Sequence, residues 1–248
     1  GEQPPVQLLV RHPGEEYVQR AEDAWPIPRT EWTEMYLDPS DNSLSDAPLS
    51  DATSVTYDPM GDGLVFLTPP LEKETEITGP VAAKLFVSSE TEDADLFLVL
   101  RVFTPDMKEI VFKGANDPHT PVAIGWLRAS HRKLDAEQTL PYRPYHTHDE
   151  VQPLTPGEVY ELDIEVWVTS IVLPEGYRLG LAVRGRDYVW SGYEPGSPEI
   201  AGRVQYGVGP FKHEMKGNRP LDVYGGKVTL HTGPDHPSHV LLPIIPEK

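Results

Sequence analysis

An all-β fold, a jelly-roll β-sandwich of antiparallel strands with long loops, is what this sequence predicts. Short apolar alternations recur along the chain and are separated by turn residues. The 27 prolines among 248 residues fall between those alternations and amount to roughly twice the usual share of about 5%. Nothing between them carries a sustained helical period, so helices are expected to be scarce.

In chain order, Val6 to Val10 reads as a buried strand that runs into His12, Pro13 and Gly14, followed by an acidic turn. Thr30 to Leu37 alternates Trp32, Glu34 and Tyr36 against Thr33, Met35 and Leu37. From Asp38 to Asp62 the residues are mostly Asp, Ser, Pro and Ala, which predicts a long polar loop with one short strand around Val55 to Tyr57. Strands are predicted at Gly63 to Leu67, Val81 to Ser88, Leu96 to Thr104, Glu109 to Phe112 and Ile124 to Ala129. Leu154 to Val189 is the clearest hairpin. Pro156 and Gly157 open its first strand, and Pro174, Glu175 and Gly176 close it. Within it Leu162, Ile164, Val166 and Val168 should point to the core, with Glu161, Asp163, Glu165 and Trp167 on the other face. Tyr206 to Val208, Lys227 to His231 and Val240 to Ile245 complete the set, with no internal repeat and one domain over 1–248.

Composition removes several functions. With 39 acidic residues against 21 Lys and Arg, the formal charge of −18 repels phosphates, and no basic stripe interrupts it. No nucleic-acid partner is expected. The longest apolar runs, such as Val240 to Ile245, are strand length, so no membrane association is expected. The absence of cysteine excludes disulfides and thiolate chemistry and leans towards a reducing, cytoplasmic compartment. Gly1 stands where Met is usual and no signal peptide follows, which reads as a processed or excised segment.

Four groups of residues are candidates for chemistry. A serine nucleophile on a strand-to-helix elbow needs glycine two residues to either side; Ser191 and Ser197 each adjoin a glycine directly and do not fit. Glu161 and Glu165 lie about 13 Å apart at Cα, at roughly 3.3 Å per residue. Leaning together, they could approach the roughly 5 to 5.5 Å carboxyl spacing of a retaining glycosidase. The same pattern, with Asp163, also describes an ordinary solvated strand face in an acidic chain. His146 and His148, with Asp149 and the later His231, His236 and His239, raise zinc, but Asp149 and Glu150 break the His-x-His-x-Asp-His pattern of metallo-β-lactamases. No metal and no cofactor is expected. Among the aromatics, which include Trp126 and Trp167, the cluster Tyr188, Trp190 and Tyr193 beside Asp187 and glycines is the candidate for a substrate pocket or a domain interface.

Taken in order, the segments resemble the carboxyl-terminal domain of the X-Pro dipeptidyl-peptidase and cocaine-esterase-like (CocE/NonD) serine hydrolases. The likeness runs from Pro4-Pro5-Val6 and Asp23-Ala24-Trp25-Pro26, through Ala94-Asp95-Leu96 and Thr104-Pro105-Asp106, to Gly125 through Arg132. It continues in Leu154 to Glu158, Pro174 to Leu179 and the closing segment Thr229 to Ile245. The resemblance implies a galactose-binding-domain-like jelly roll appended to an α/β-hydrolase domain and a helical cap of the same polypeptide. It implies that the Ser-His-Asp triad belongs to the hydrolase domain, so no catalytic residue is expected in this chain. The substrate implied is a small ester or an X-Pro peptide, met through those domains, and a homo-oligomer stays open. Tyr177 stands where this family frequently has His. Two other readings stand beside it: a free-standing carbohydrate-binding module, and a laminarinase-like jelly-roll glycosidase using Glu161 and Glu165, whose strand shares the order Glu-Leu-Asp-Ile-Glu.

Overall fold

The computed structural model describes residues 3–194, 205–213 and 217–247. Fourteen strands carry the fold: β1 (Val6–His12), β2 (Glu16–Glu22), β3 (Glu31–Asp38), β4 (Ser43–Ser45), β5 (Thr53–Tyr57), β6 (Leu64–Leu67) and β7 (Thr75–Ser89). They continue with β8 (Asp95–Phe103), β9 (Glu109–Ile110), β10 (Ala123–Arg128), β11 (Tyr160–Leu173), β12 (Arg178–Arg184), β13 (Val228–Thr232) and β14 (His239–Ile245). Helix is confined, among the described residues, to a 3-10 turn at Ala129–His131 and one α-helical turn at Leu221–Tyr224.

The strands form a single sheet in the order β10-β8-β12-β6-β4-β3-β14-β7-β11-β1-β2, which folds over on itself. Its hinge is thin: β4 meets β6 through one parallel bridge, Ser43 to Leu67. The fold-over lays β10 across β11 without pairing them, so the two halves of the sheet become the two layers of a sandwich. Between the layers lies one continuous core that includes Phe66, Leu85, Leu98, Leu100, Leu162, Ile164, Leu181 and Leu230. The fifteen-residue β7 is central: it pairs with β11 along one edge and with β14 and then β13 along the other. A strand flanked on both edges and covered on both faces reads as a near-continuous apolar run. That is how Ile77 to Val87 reads.

Most predicted strands stand within two residues of their expected ends. Five elements differ from expectation. β7 begins six residues before the expected Val81, because Gly79 and Pro80 look like a turn in sequence while Gly79 (φ 152°) lets Pro243 pack against the strand. β2 and β4 lie where a turn and a loop were expected: β2 is largely exposed, and β4 is held between β3 and β6. Tyr206 to Val208 is bent rather than extended. Finally, β11 carries a bulge between Val166 and Thr169, so Val168 turns outward with Trp167 instead of following Ile164 into the core.

Candidate functional site

The bulge in β11 builds the most developed surface of the molecule. By leaving two consecutive large side chains outside, it stands Trp167 between two cavities. Trp126 of β10 meets Trp167 edge-on, with centroids 5.1 Å apart and planes at 86°. Phe211 meets Trp167 at 4.9 Å and 89° and lies 6.1 Å from Trp126, so the three rings close a triangle. Edge-to-face pairs at these distances add stabilisation beyond area burial, so the three rings hold one another in place.

The first cavity, about 630 Å³, has Trp126, Trp167 and Phe97 on its apolar side. Its polar side carries Arg128, Glu165, His131, His146 and His148, with Lys212, His213, Asn218 and Arg219. Asp95 ties this wall together: its carboxylate accepts from Arg128 Nε at 2.8 Å and Nη2 at 3.0 Å, and from Arg219 Nε at 2.7 Å. Asp187 does the same for His213, accepting from its backbone N–H at 2.6 Å and lying 2.9 Å from its Nδ1. The second cavity, about 520 Å³, is lined by Leu9, Arg11, Trp25, Val168 and Phe211 among others. Arg11 forms its floor, donating to Thr169 Oγ1 at 2.8 Å and to the carbonyls of Val122 and Ser170 at 3.1 and 3.3 Å. Burial lowers its pKa, and the bound carbonyls replace the water the guanidinium has lost.

The three aromatics singled out in the sequence lie at the back of this surface. Tyr188 is buried, its hydroxyl donating to Glu109 Oε1 at 2.9 Å, and burial pushes its pKa up. It belongs to a second apolar cluster with Val99, Ile124, Ala182 and Val208, against which Trp126, Trp190 and Tyr206 pack. Trp190 stacks on His119 at 3.6 Å and 4°, and Tyr193 leans on Tyr206 at 4.6 Å. Pro195, Gly196 and Ser197, at the end of this loop, lie outside the described residues. Alternation along β11 places Trp167 on the outer face, whereas Phe211 carries no signal of its own in the sequence; the bulge and the fold-over bring them together.

The acidic strand face is divided. Lys84 of β7 bridges both Glu161 and Asp163, the latter at 2.9 Å, while Glu165 turns to the first cavity. His231 Nε2 lies 2.8 Å from Ser88 Oγ, and His239 Nδ1–H donates to the Pro237 carbonyl at 2.7 Å. Among the described residues no three His, Asp or Glu side chains already enclose a point where a metal could sit.

Comparison with known proteins decides the family. The family described as the X-Pro dipeptidyl-peptidase C-terminal non-catalytic domain matches residues 1–241. This chain belongs to it. A CocE/NonD family hydrolase from Staphylococcus aureus superposes with a TM-score of 0.84 at 27% identity, over 98% of this chain and 42% of that one. The cocaine esterase of Rhodococcus sp. (strain MB1 Bresler) is 27% identical over 266 residues, 91% of this chain and 40% of its own length. A putative serine esterase of Mycobacterium tuberculosis is 33% identical over 132 residues, half of this chain and 19% of that protein. The X-Pro dipeptidyl-peptidase C-terminal domain seen here thus spans less than half the length of each of these relatives. Its all-β sandwich, and its membership of a family described as a non-catalytic C-terminal domain, agree with the resemblance read from Pro4 to Ile245.

Proposed function

We propose that this domain docks on the α/β-hydrolase and cap domains of a serine hydrolase acting on acyl esters or X-Pro peptides, and forms part of the wall of its substrate pocket. The observation that carries this reading is the apolar surface around the bulge. Leu9 is 62% exposed and Val168 53%, with Trp25, Trp167 and Phe211 partly uncovered around the second cavity. Large apolar side chains gathered on one face of an otherwise acidic chain mark a contact surface. Beside it, the first cavity offers aromatic walls with polar groups on one side, the composition of a small-molecule pocket placed at a domain seam. The loop carrying Tyr188, Trp190 and Tyr193 supports that wall from behind.

Two experiments test the reading. The 248-residue chain alone should fold and show no turnover of a p-nitrophenyl acyl ester or an X-Pro-nitroanilide; turnover abolished by a serine-directed phosphonate would sink it. In the complete polypeptide, Val168→Asp should separate the domains, seen as a second thermal transition and increased susceptibility to proteolysis between them. A single unchanged transition would place the contact elsewhere.

Trp190→Ala refines the role of the loop. If the loop shapes the pocket, kcat/KM falls for bulky acyl groups and stays nearly level for acetyl esters, since only the larger group loses contact. An equal fall for both, with a lower Tm, assigns the loop to docking alone.

A further inference from the structure

We propose that His131, His146 and His148 form a binding site for a transition-metal ion of the Zn²⁺ class at the rim of the first cavity. The sequence places only His146 and His148 near one another, and two histidines at i and i+2 are too few to argue for a metal. The fold adds His131 from the 3-10 turn after β10, so that all three rings line one cavity. His131 Nδ1 and His148 Nδ1 face each other at 3.2 Å. Two nitrogens bound to one tetrahedral Zn²⁺ at about 2.0–2.1 Å stand about 3.3 Å apart. The pair is therefore already at the spacing that an ion would impose.

His146 supplies the third group. Its Nε2 is buried and has no hydrogen-bond partner. A buried ring nitrogen left unpaired in a polar cavity wall is open to a ligand, since buried polar groups otherwise find a partner. The ring centroid of His146 is 5.9 Å from that of His148, and the His131 and His148 centroids are 5.3 Å apart. The three donors do not yet converge on one point. The His131–His148 pair takes the ion first, and His146 closes on it by a small ring movement, with water completing the shell.

The backbone is arranged for such a clamp. His148 holds a left-handed φ of 51°, an uncommon conformation for a non-glycine residue, and lines the cavity. The neighbouring Asp149 is pinned by Lys133 at 3.0 Å. An ion held by His131 and His148 closes the intervening loop, whose isolated bridge joins Leu134 to His146. The inferred role is structural, fixing the wall of the cavity, and no hydrolytic step passes through the ion.

Isothermal titration of Zn²⁺ into the 248-residue chain should give one ion per chain, and Co²⁺ should give the intense visible absorption of a low-coordinate nitrogen site. His131→Ala and His148→Ala should each weaken Zn²⁺ binding tenfold or more and abolish the cobalt spectrum. His236→Ala, whose ring lies against Phe86 and His231, should change neither. Circular dichroism of each variant separates loss of the ion from loss of the fold. The proposal is overturned if the parent takes up neither ion, or if the His131→Ala/His148→Ala double variant binds Zn²⁺ as tightly as the parent.

Discussion

Gly125→Ala is expected to destabilise the domain by about 3 kcal/mol, because overpacking against backbone cannot be relieved by a rotamer change. A Cβ built on Gly125 would stand 2.2 Å from the Glu165 carbonyl oxygen and 2.9 Å from the Val166 Cα. That glycine is where β10 crosses β11, and the close crossing also brings Trp126 edge-on to Trp167. The variant should therefore lose both stability in urea and the near-ultraviolet circular dichroism of the packed indoles. Gly217→Ala is the control, since nothing lies within 4 Å of its Cβ position. Equal midpoints for the two variants would show that the layers are further apart than described.

Ile164→Ala should cost roughly 2 to 5 kcal/mol through lost burial and a residual cavity. Glu165→Gln, one residue along the same strand, should change stability by about 0.5 kcal/mol or less, as exposed positions do. Ile164 is fully buried between the layers and Glu165 is exposed at the cavity. Denaturant melts at matched slope read the difference, and a larger loss at Glu165 would reverse the assignment of faces.

The difference between these two neighbours was readable from alternation alone, and so was most of the sheet. Period-two patterning reports which face of a strand is buried, and the first half of β11 obeys it, whereas β8 and β12 are buried on both faces and read as near-continuous apolar runs. What patterning cannot report is a change of phase. At Val166 the alternation breaks without proline or glycine to announce it, so Val168 reads as core while the bulge exposes it. The same holds for β2, whose Tyr17, Val18 and Gln19 are all exposed and whose strand character comes from pairing with β1. The aromatics of 188–193 were visible as a cluster, yet their depth was not: Tyr188 is buried because Glu109, far away in sequence, accepts its hydroxyl. Trp126 with His131, Trp167, and Phe211 come from three separate segments. Only the fold-over makes them neighbours.

The attachment of β1 bears on how the chain is made. Beyond its pairing with β2, the one ladder contact of β1 among the described residues is the parallel pair Arg11 and Ile171, reinforced by the bonds from Arg11 to Val122, Thr169 and Ser170. Those partners lie 111 to 159 residues downstream. At about 5–20 residues per second on a ribosome, roughly 10 to 30 s pass between synthesis of β1 and synthesis of its docking site. During that interval the β1–β2 ribbon lacks the strand of this domain on which it docks, and Leu9 and Val18 are not covered by it. Nascent-chain stages cut before residue 170 should therefore recruit trigger-factor-type chaperones through this ribbon, and stages carrying the whole of β11 should release them.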